Sequence, residues 1–149
     1  MPKAMTALQL VERVTSRPGY TQSLGTSVVT AEPGRVQLAV DRRADFLQFG
    51  GNFHGGIISG LADSAAGAAI TTSLPTGRIA VTIDLHMTFL SPASGTRLIA
   101  KAEAIRVGST VSVAKVEVES QQDGESRLCA FGTVTLRAVD IPEGISSQQ

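Results

Sequence analysis

Asp63 interrupts a run of small and apolar residues from Ile57 to Ile70. At helical spacing its neighbours three and four positions away are Ser59, Gly60, Ala66 and Gly67, none of them basic. A buried carboxylate without a counter-charge is costly. Asp63 must therefore face a cleft, a partner chain or a solvated edge. It lies too deep in the run to cap a helix. In a cleft, loss of water would make it a stronger base toward water, and it could also attack an acyl carbon itself. A solvated aspartate on a helix surface is the alternative reading.

The step His54-Gly55-Gly56 supplies a second ingredient. The first N–H groups of a helix have no partner within it. Glycines leave such groups uncovered, and with the helix dipole they suit an oxyanion developing on a carbonyl. The alternatives are a tight loop-to-helix turn at the glycines and a structural hydrogen bond at His54. The chain has no serine nucleophile elbow, phosphate-binding loop, dinucleotide fingerprint or metal-binding histidine pair.

These residues need elements to hold them. Ala4 to Val14 has helical spacing, with Leu8, Val11 and Val14 on one side, and Pro18-Gly19 ends it. Leu24 to Ala31 and Arg35 to Val40 read as a hairpin around Glu32-Pro33-Gly34. Asp41 to Phe53 reads as a loop. The central helix is predicted from Gly55 to about Thr72, stopped by Leu74-Pro75-Thr76-Gly77. Four strands follow: Ile79 to Leu90, Arg97 to Val107, Val111 to Ser120 and Arg127 to Val139. Strict alternation along the first puts Val81, Ile83, Leu85, Met87 and Phe89 on one face. Thr82, Asp84, His86 and Thr88 fall on the other. The expected fold is α+β, one antiparallel sheet curled around one central helix whose small residues permit close approach.

Composition narrows the function. The 149 residues carry 13 basic and 13 acidic side chains, so the net charge is zero, and 42% are hydrophobic. That describes one globular domain over residues 1–149, with a helical segment within 1–20 and a polar tail over 140–149 expected to fray. Neutrality leaves no electrostatic footprint for nucleic acid and favours self-association. One cysteine, Cys129, allows no internal disulfide, and the sequence offers no metal-ligand cluster. No apolar run is long enough to span a membrane and the first residues carry no signal core, so a cytoplasmic location is the expectation.

The loop, the His54-Gly55-Gly56 step, Asp63 after six further residues, and the stretch Ala80-Val81-Thr82-Ile83-Asp84-Leu85-His86-Met87-Thr88-Phe89-Leu90-Ser91-Pro92-Ala93 together resemble the hotdog-fold thioesterases of the phenylacetate-pathway type. The likeness runs from Leu24 to Val139. It implies hydrolysis of acyl-coenzyme A thioesters, with no cofactor beyond the coenzyme A of the substrate. It also implies a homodimer that pairs into a homotetramer, with each active site between two subunits. Carried over by position, the Gly55 N–H polarises the thioester carbonyl, with Gly56 beside it. Asp63 of the partner chain acts as nucleophile or general base. His54 orients the loop or the carbonyl. Gln48 stands where members carry an amide near the thioester, and Thr82 where a hydroxyl positions water. The turn Arg106-Val107-Gly108-Ser109-Thr110 matches the segment that holds the coenzyme A moiety. Many relatives have a further basic residue directly after the glycine, where this chain has Ser109.

The acyl group is not legible. Phe46, Phe49, Phe53 and Phe89 could line an aryl or medium-chain pocket or belong to the core; three of the five phenylalanines precede the helix. A hotdog hydratase would need a differently spaced histidine and acid, which are absent. The rival from another class is a non-catalytic acyl-CoA-binding hotdog protein.

Overall fold

The architecture follows from the side-chain sizes along α3, Gly55–Thr71. Ala62, Ala65, Ala66 and Ala69 are fully buried, so a sheet can approach the helix closely. Leu61 and Ile70 key into the sheet with no exposed surface, each contributing about 1.5–3 kcal/mol of apolar burial. The computed structural model describes residues 3–142. Around α3 wraps one six-stranded antiparallel sheet in the order β1-β2-β4-β5-β6-β3. Its strands are β1 (Ser27–Glu32), β2 (Arg35–Asp41), β3 (Arg78–Phe89), β4 (Arg97–Arg106), β5 (Val111–Gln122) and β6 (Glu125–Asp140).

The predicted hairpin, central helix and four following strands are all present. The tail beyond residue 142 lies outside the described residues. The β5–β6 turn has Asp123 at φ 52° and Gly124 at φ 79°, the pair of positive angles a tight hairpin with right-twisted strands requires.

Four local expectations need correction. The first helix, α1, spans Ala7–Thr15 and starts later than the apolar spacing suggests. Thr6 sets the start by a capping box: its hydroxyl accepts from the Gln9 N–H while the Gln9 side chain accepts from the Thr6 N–H. A second short helix, α2 (Tyr20–Ser23), follows directly after Gly19. One 3-10 turn, Ala44–Phe46, lies within the loop read as irregular, and it buries Phe46.

The fourth correction concerns β3. The register with β6 shifts between Thr82 and Asp84, so Ile83 is an extra, unpaired residue. A bulge of this kind reverses the side-chain alternation. Thr82 pairs with buried Leu136 and so faces the helix, while Asp84 pairs with Thr135 on the outer face. Leu85, opposite buried Val134, returns to the helix side. Asp84 and His86 therefore do not share the Thr82 face. β3 is also an edge strand, and along it Val81, Ile83, Leu85 and Phe89 are substantially exposed.

Candidate active site

Asp63 is partly buried on α3, at the flank of the face that carries its buried alanines. The bulge at Ile83 brings Thr82 opposite it, and the Thr82 hydroxyl donates to Asp63 Oδ1 at 2.6 Å. No ion pair among the described residues involves Asp63. The carboxylate opens into a cavity of about 270 Å³ between α1, α3 and β3. One oxygen is thus fixed by Thr82, and no cation quenches the charge.

The other end of α3 is built differently. His54 is the N-cap residue, and its Nδ1 accepts from the Gly56 N–H at 2.8 Å. An accepting Nδ1 places the imidazole proton on Nε2. The Gly56 donor is therefore already used, contrary to a reading in which both glycine N–H groups stand free. Among the described residues nothing accepts from the Gly55 N–H. A side chain there would also crowd Phe89: a Cβ on Gly55 would lie 3.3 Å from Phe89 Cζ.

Gly55 lines a second cavity of about 390 Å³ together with Gln48, Asn52, Phe53, Ile58 and Phe89. The loop that walls it is pinned. The His54 N–H donates to the Phe46 carbonyl, and Phe53 N–H to the Ala93 carbonyl. Gln48 Oε1 accepts from the Gly50 N–H, which leaves the amide NH₂ for the cavity. The loop cations are committed elsewhere. Arg42 binds the carbonyls of Gly51, Ser94 and Gly95. Arg43 bridges to Asp45, donates to the Ser23 carbonyl and lies 4.0 Å above the Phe46 ring. That guanidinium, chiefly through its hydrogen bond, holds the Asp45 carboxyl below its usual range.

The two cavities share no lining residue. Eight positions separate Gly55 from Asp63 along one helix, a rise of about 12 Å. A carbonyl held at the Gly55 N–H is out of reach of Asp63 in the same chain.

The remaining candidate residues fall into two groups. Phe53 and Phe89 line the Gly55 cavity, Phe46 is buried in the core, and Phe49 is fully exposed. The turn Arg106-Val107-Gly108-Ser109-Thr110 joins β4 to β5 and lines neither cavity. It is nonetheless anchored near the start of β3: Arg78 donates to the Ser109 carbonyl, and the Thr110 carbonyl accepts from the Ala138 N–H. Gly108 is required there, because a Cβ would lie 2.3 Å from the Val111 carbonyl oxygen. Among the described residues no cluster of histidine, cysteine or acidic side chains could hold a metal ion. No helix among them is long and apolar enough to cross a membrane.

Sequence reasoning passed over the residues of α1 that wall the Asp63 cavity, among them Leu10 and Val14. The apolar spacing of Leu8, Val11 and Val14 marks a helical face that includes Val14 but not Leu10, and nothing in that spacing says what the face covers.

One curled antiparallel sheet wrapped around a long helix is the hotdog fold. The chain belongs to the thioesterase superfamily, whose signature spans residues 50–127. It is 38% identical over 122 residues to a Halobacterium salinarum chain named as a candidate esterase, covering 78% of this chain and 80% of that one. A medium/long-chain acyl-CoA thioesterase of Salmonella typhimurium, YigI, is 29% identical over 134 residues, covering 77% and 84%. The crystal structure of a thioesterase family protein from Silicibacter pomeroyi superposes with a TM-score of 0.86 at 32% identity, covering 91% of this chain and 99% of that one.

Proposed function

We propose that this protein is an acyl-coenzyme A thioesterase of the phenylacetate-pathway type, working as a homodimer that pairs into a homotetramer. The observation that carries the reading is the Asp63 carboxylate, unpaired with any cation among the described residues, held by Thr82 and open to a cavity. Membership of the thioesterase superfamily supports the reaction class.

In this reading the thioester carbonyl accepts from the Gly55 N–H of one chain and meets Asp63 of the other. The 12 Å rise between the two positions supports this division of labour. So does the exposed edge strand β3, whose open backbone groups and apolar side chains suit pairing with a second copy. Asp63 either takes a proton from water, whose oxygen attacks the acyl carbon, or attacks that carbon itself. In both routes the carbonyl oxygen gains charge against the Gly55 N–H. The tetrahedral species then expels the coenzyme A sulfur, which leaves as thiol after gaining a proton. In the covalent route water next cleaves the Asp63 anhydride. His54, by occupying the Gly56 N–H, holds the first turn so that Gly55 presents its own. Gln48 and Phe89 bound the thioester. Arg106 through Thr110 contribute to holding the coenzyme A moiety.

The test is thiol release over a panel of acyl-CoA esters. The wild-type chain is expected to release thiol, and Asp63→Asn to keep fold and assembly while losing most turnover. Unchanged hydrolysis by Asp63→Asn would overturn the assignment. Binding of acyl-CoA without thiol release in the wild type would favour the non-catalytic reading. In heavy-oxygen water, a single turnover that labels the enzyme carboxylate before the product acid identifies the covalent route.

A further inference from the structure

We propose that α1 is the specificity element of the enzyme, and that the Asp63 cavity it roofs receives the acyl group, with Leu10 setting the length or ring size admitted. The inference rests on the thioester reading and adds to it the substrate class. The cavity is walled by Leu10 and Val14 of α1, Leu38 of β2, Ala68 of α3 and Ile79 of β3. Among the described residues that line it, Asp63 is the one ionisable group. Three of the threonines in the wall have their hydroxyls engaged with backbone, and the Thr82 hydroxyl is held by Asp63. Thr15 donates to the Val11 carbonyl, Thr72 donates to the Ala69 carbonyl, and the Thr71 oxygen accepts from the Ala80 N–H.

Among the described residues no lysine or arginine lines this cavity, so it does not suit the phosphates of coenzyme A. An apolar group attached to the carbon that Asp63 addresses does suit it. Volume sets the size class. A dry apolar cavity of about 150 Å³ holds one benzene ring, so about 270 Å³ takes a ring with a short tether or a medium-length aliphatic chain. Long chains require α1 to move. The helix is fixed by its capping box and by Val11, which is 2% exposed. Val14 sits half-exposed at the rim, and Leu10, partly buried beside that anchor, is the α1 wall residue whose size can be changed without removing the anchor.

The test uses Leu10→Trp, Leu10→Phe as a milder filling variant, and Leu10→Ala to enlarge the space. Each variant is checked by thermal melting and read as kcat/KM for acetyl-, hexanoyl-, octanoyl-, dodecanoyl- and phenylacetyl-CoA. Filling is expected to lower the octanoyl-to-acetyl ratio by at least about tenfold, the scale on which apolar pockets discriminate chain length. Leu10→Ala is expected to move the optimum toward longer chains. Ratios unchanged in all folded variants would overturn the proposal while leaving thioester hydrolysis intact.

A second readout does not depend on turnover. The chain contains no tryptophan, so Val14→Trp places a single reporter at the rim. Octanoate is expected to shift its emission to the blue with saturation, and this shift should be lost when Leu10→Phe is added. If the shift occurs but no acyl-CoA is hydrolysed, the pocket stands and the thioesterase reading falls. If hydrolysis occurs with no shift, the pocket falls.

Discussion

Removing one backbone donor tests the proposed carbonyl activation. Gly55 is the first residue of α3, and His54 before it adopts φ −64° and ψ 140°. Proline is favoured at a first helical position, and the extended His54 backbone is the conformation a following proline requires. Gly55→Pro therefore deletes the N–H while keeping the helix start. The steric cost is contained: the added Cβ meets the end of the Phe89 ring at 3.3 Å, and Phe89 is half-exposed and free to give. Gly55→Ala adds the same Cβ and retains the N–H, so the pair isolates the donor. If the Gly55 N–H stabilises the oxyanion, its loss lowers kcat by about 10²–10³-fold, or ~3 kcal/mol. Gly55→Ala is expected to lose less than about tenfold. The assay is thiol release under saturating acyl-CoA, with circular dichroism to verify the fold. Equal rates for the two variants would show that this N–H is not the catalytic donor.

Other outcomes follow from the same geometry. Thr82→Val keeps shape but removes the hydrogen bond to Asp63, and since bonds to charged groups contribute about 1.5–3 kcal/mol, kcat is expected to fall by roughly ten- to hundredfold, with Thr82→Ser restoring most of it. A fall in KM affinity alone would assign Thr82 to binding instead. Cys129 is fully buried, with its thiol donating to the Val118 carbonyl, and burial pushes its pKa up from 9.0 to about 11. The native thiol should resist alkylation at pH 8. Because the fold disfavours the thiolate, this group's contribution to stability is complete below pH 9 and is lost as pH rises from 9 toward 11. Melting temperatures across that window should fall less steeply for Cys129→Ala.

Much of the fold is legible in residue order because its signals are local. The small residues from Gly55 onward mark a buried helix, and Asp123-Gly124 marks a tight turn. Asp63 is conspicuous for the same reason: its helical neighbours offer no partner. The Ile83 bulge is not legible. Val81, Ile83, Leu85, Met87 and Phe89 alternate without a break, and only pairing with β6 reveals the extra residue. That slip turns Thr82 toward Asp63 and turns Asp84 and His86 outward. The contribution of α1 is hidden too. Its apolar face is evident from spacing, but its position over the Asp63 cavity depends on contacts between distant parts of the chain. The Gly56 N–H looked free because capping by a histidine side chain cannot be told from a loop histidine by sequence.

The central claim is that Gly55 and Asp63 of one chain serve two different active sites. Subunit complementation tests it most directly. Gly55→Pro and Asp63→Asn chains, each inactive alone, are co-expressed in equal amounts. If sites form between subunits, half of the dimers are mixed, and each mixed dimer carries one intact site and one doubly defective site. Thiol release should then recover to about a quarter of the wild-type rate, given a two-fold symmetric dimer. Activity that stays at the level of the two separate variants would place both residues in one chain's site and contradict the account.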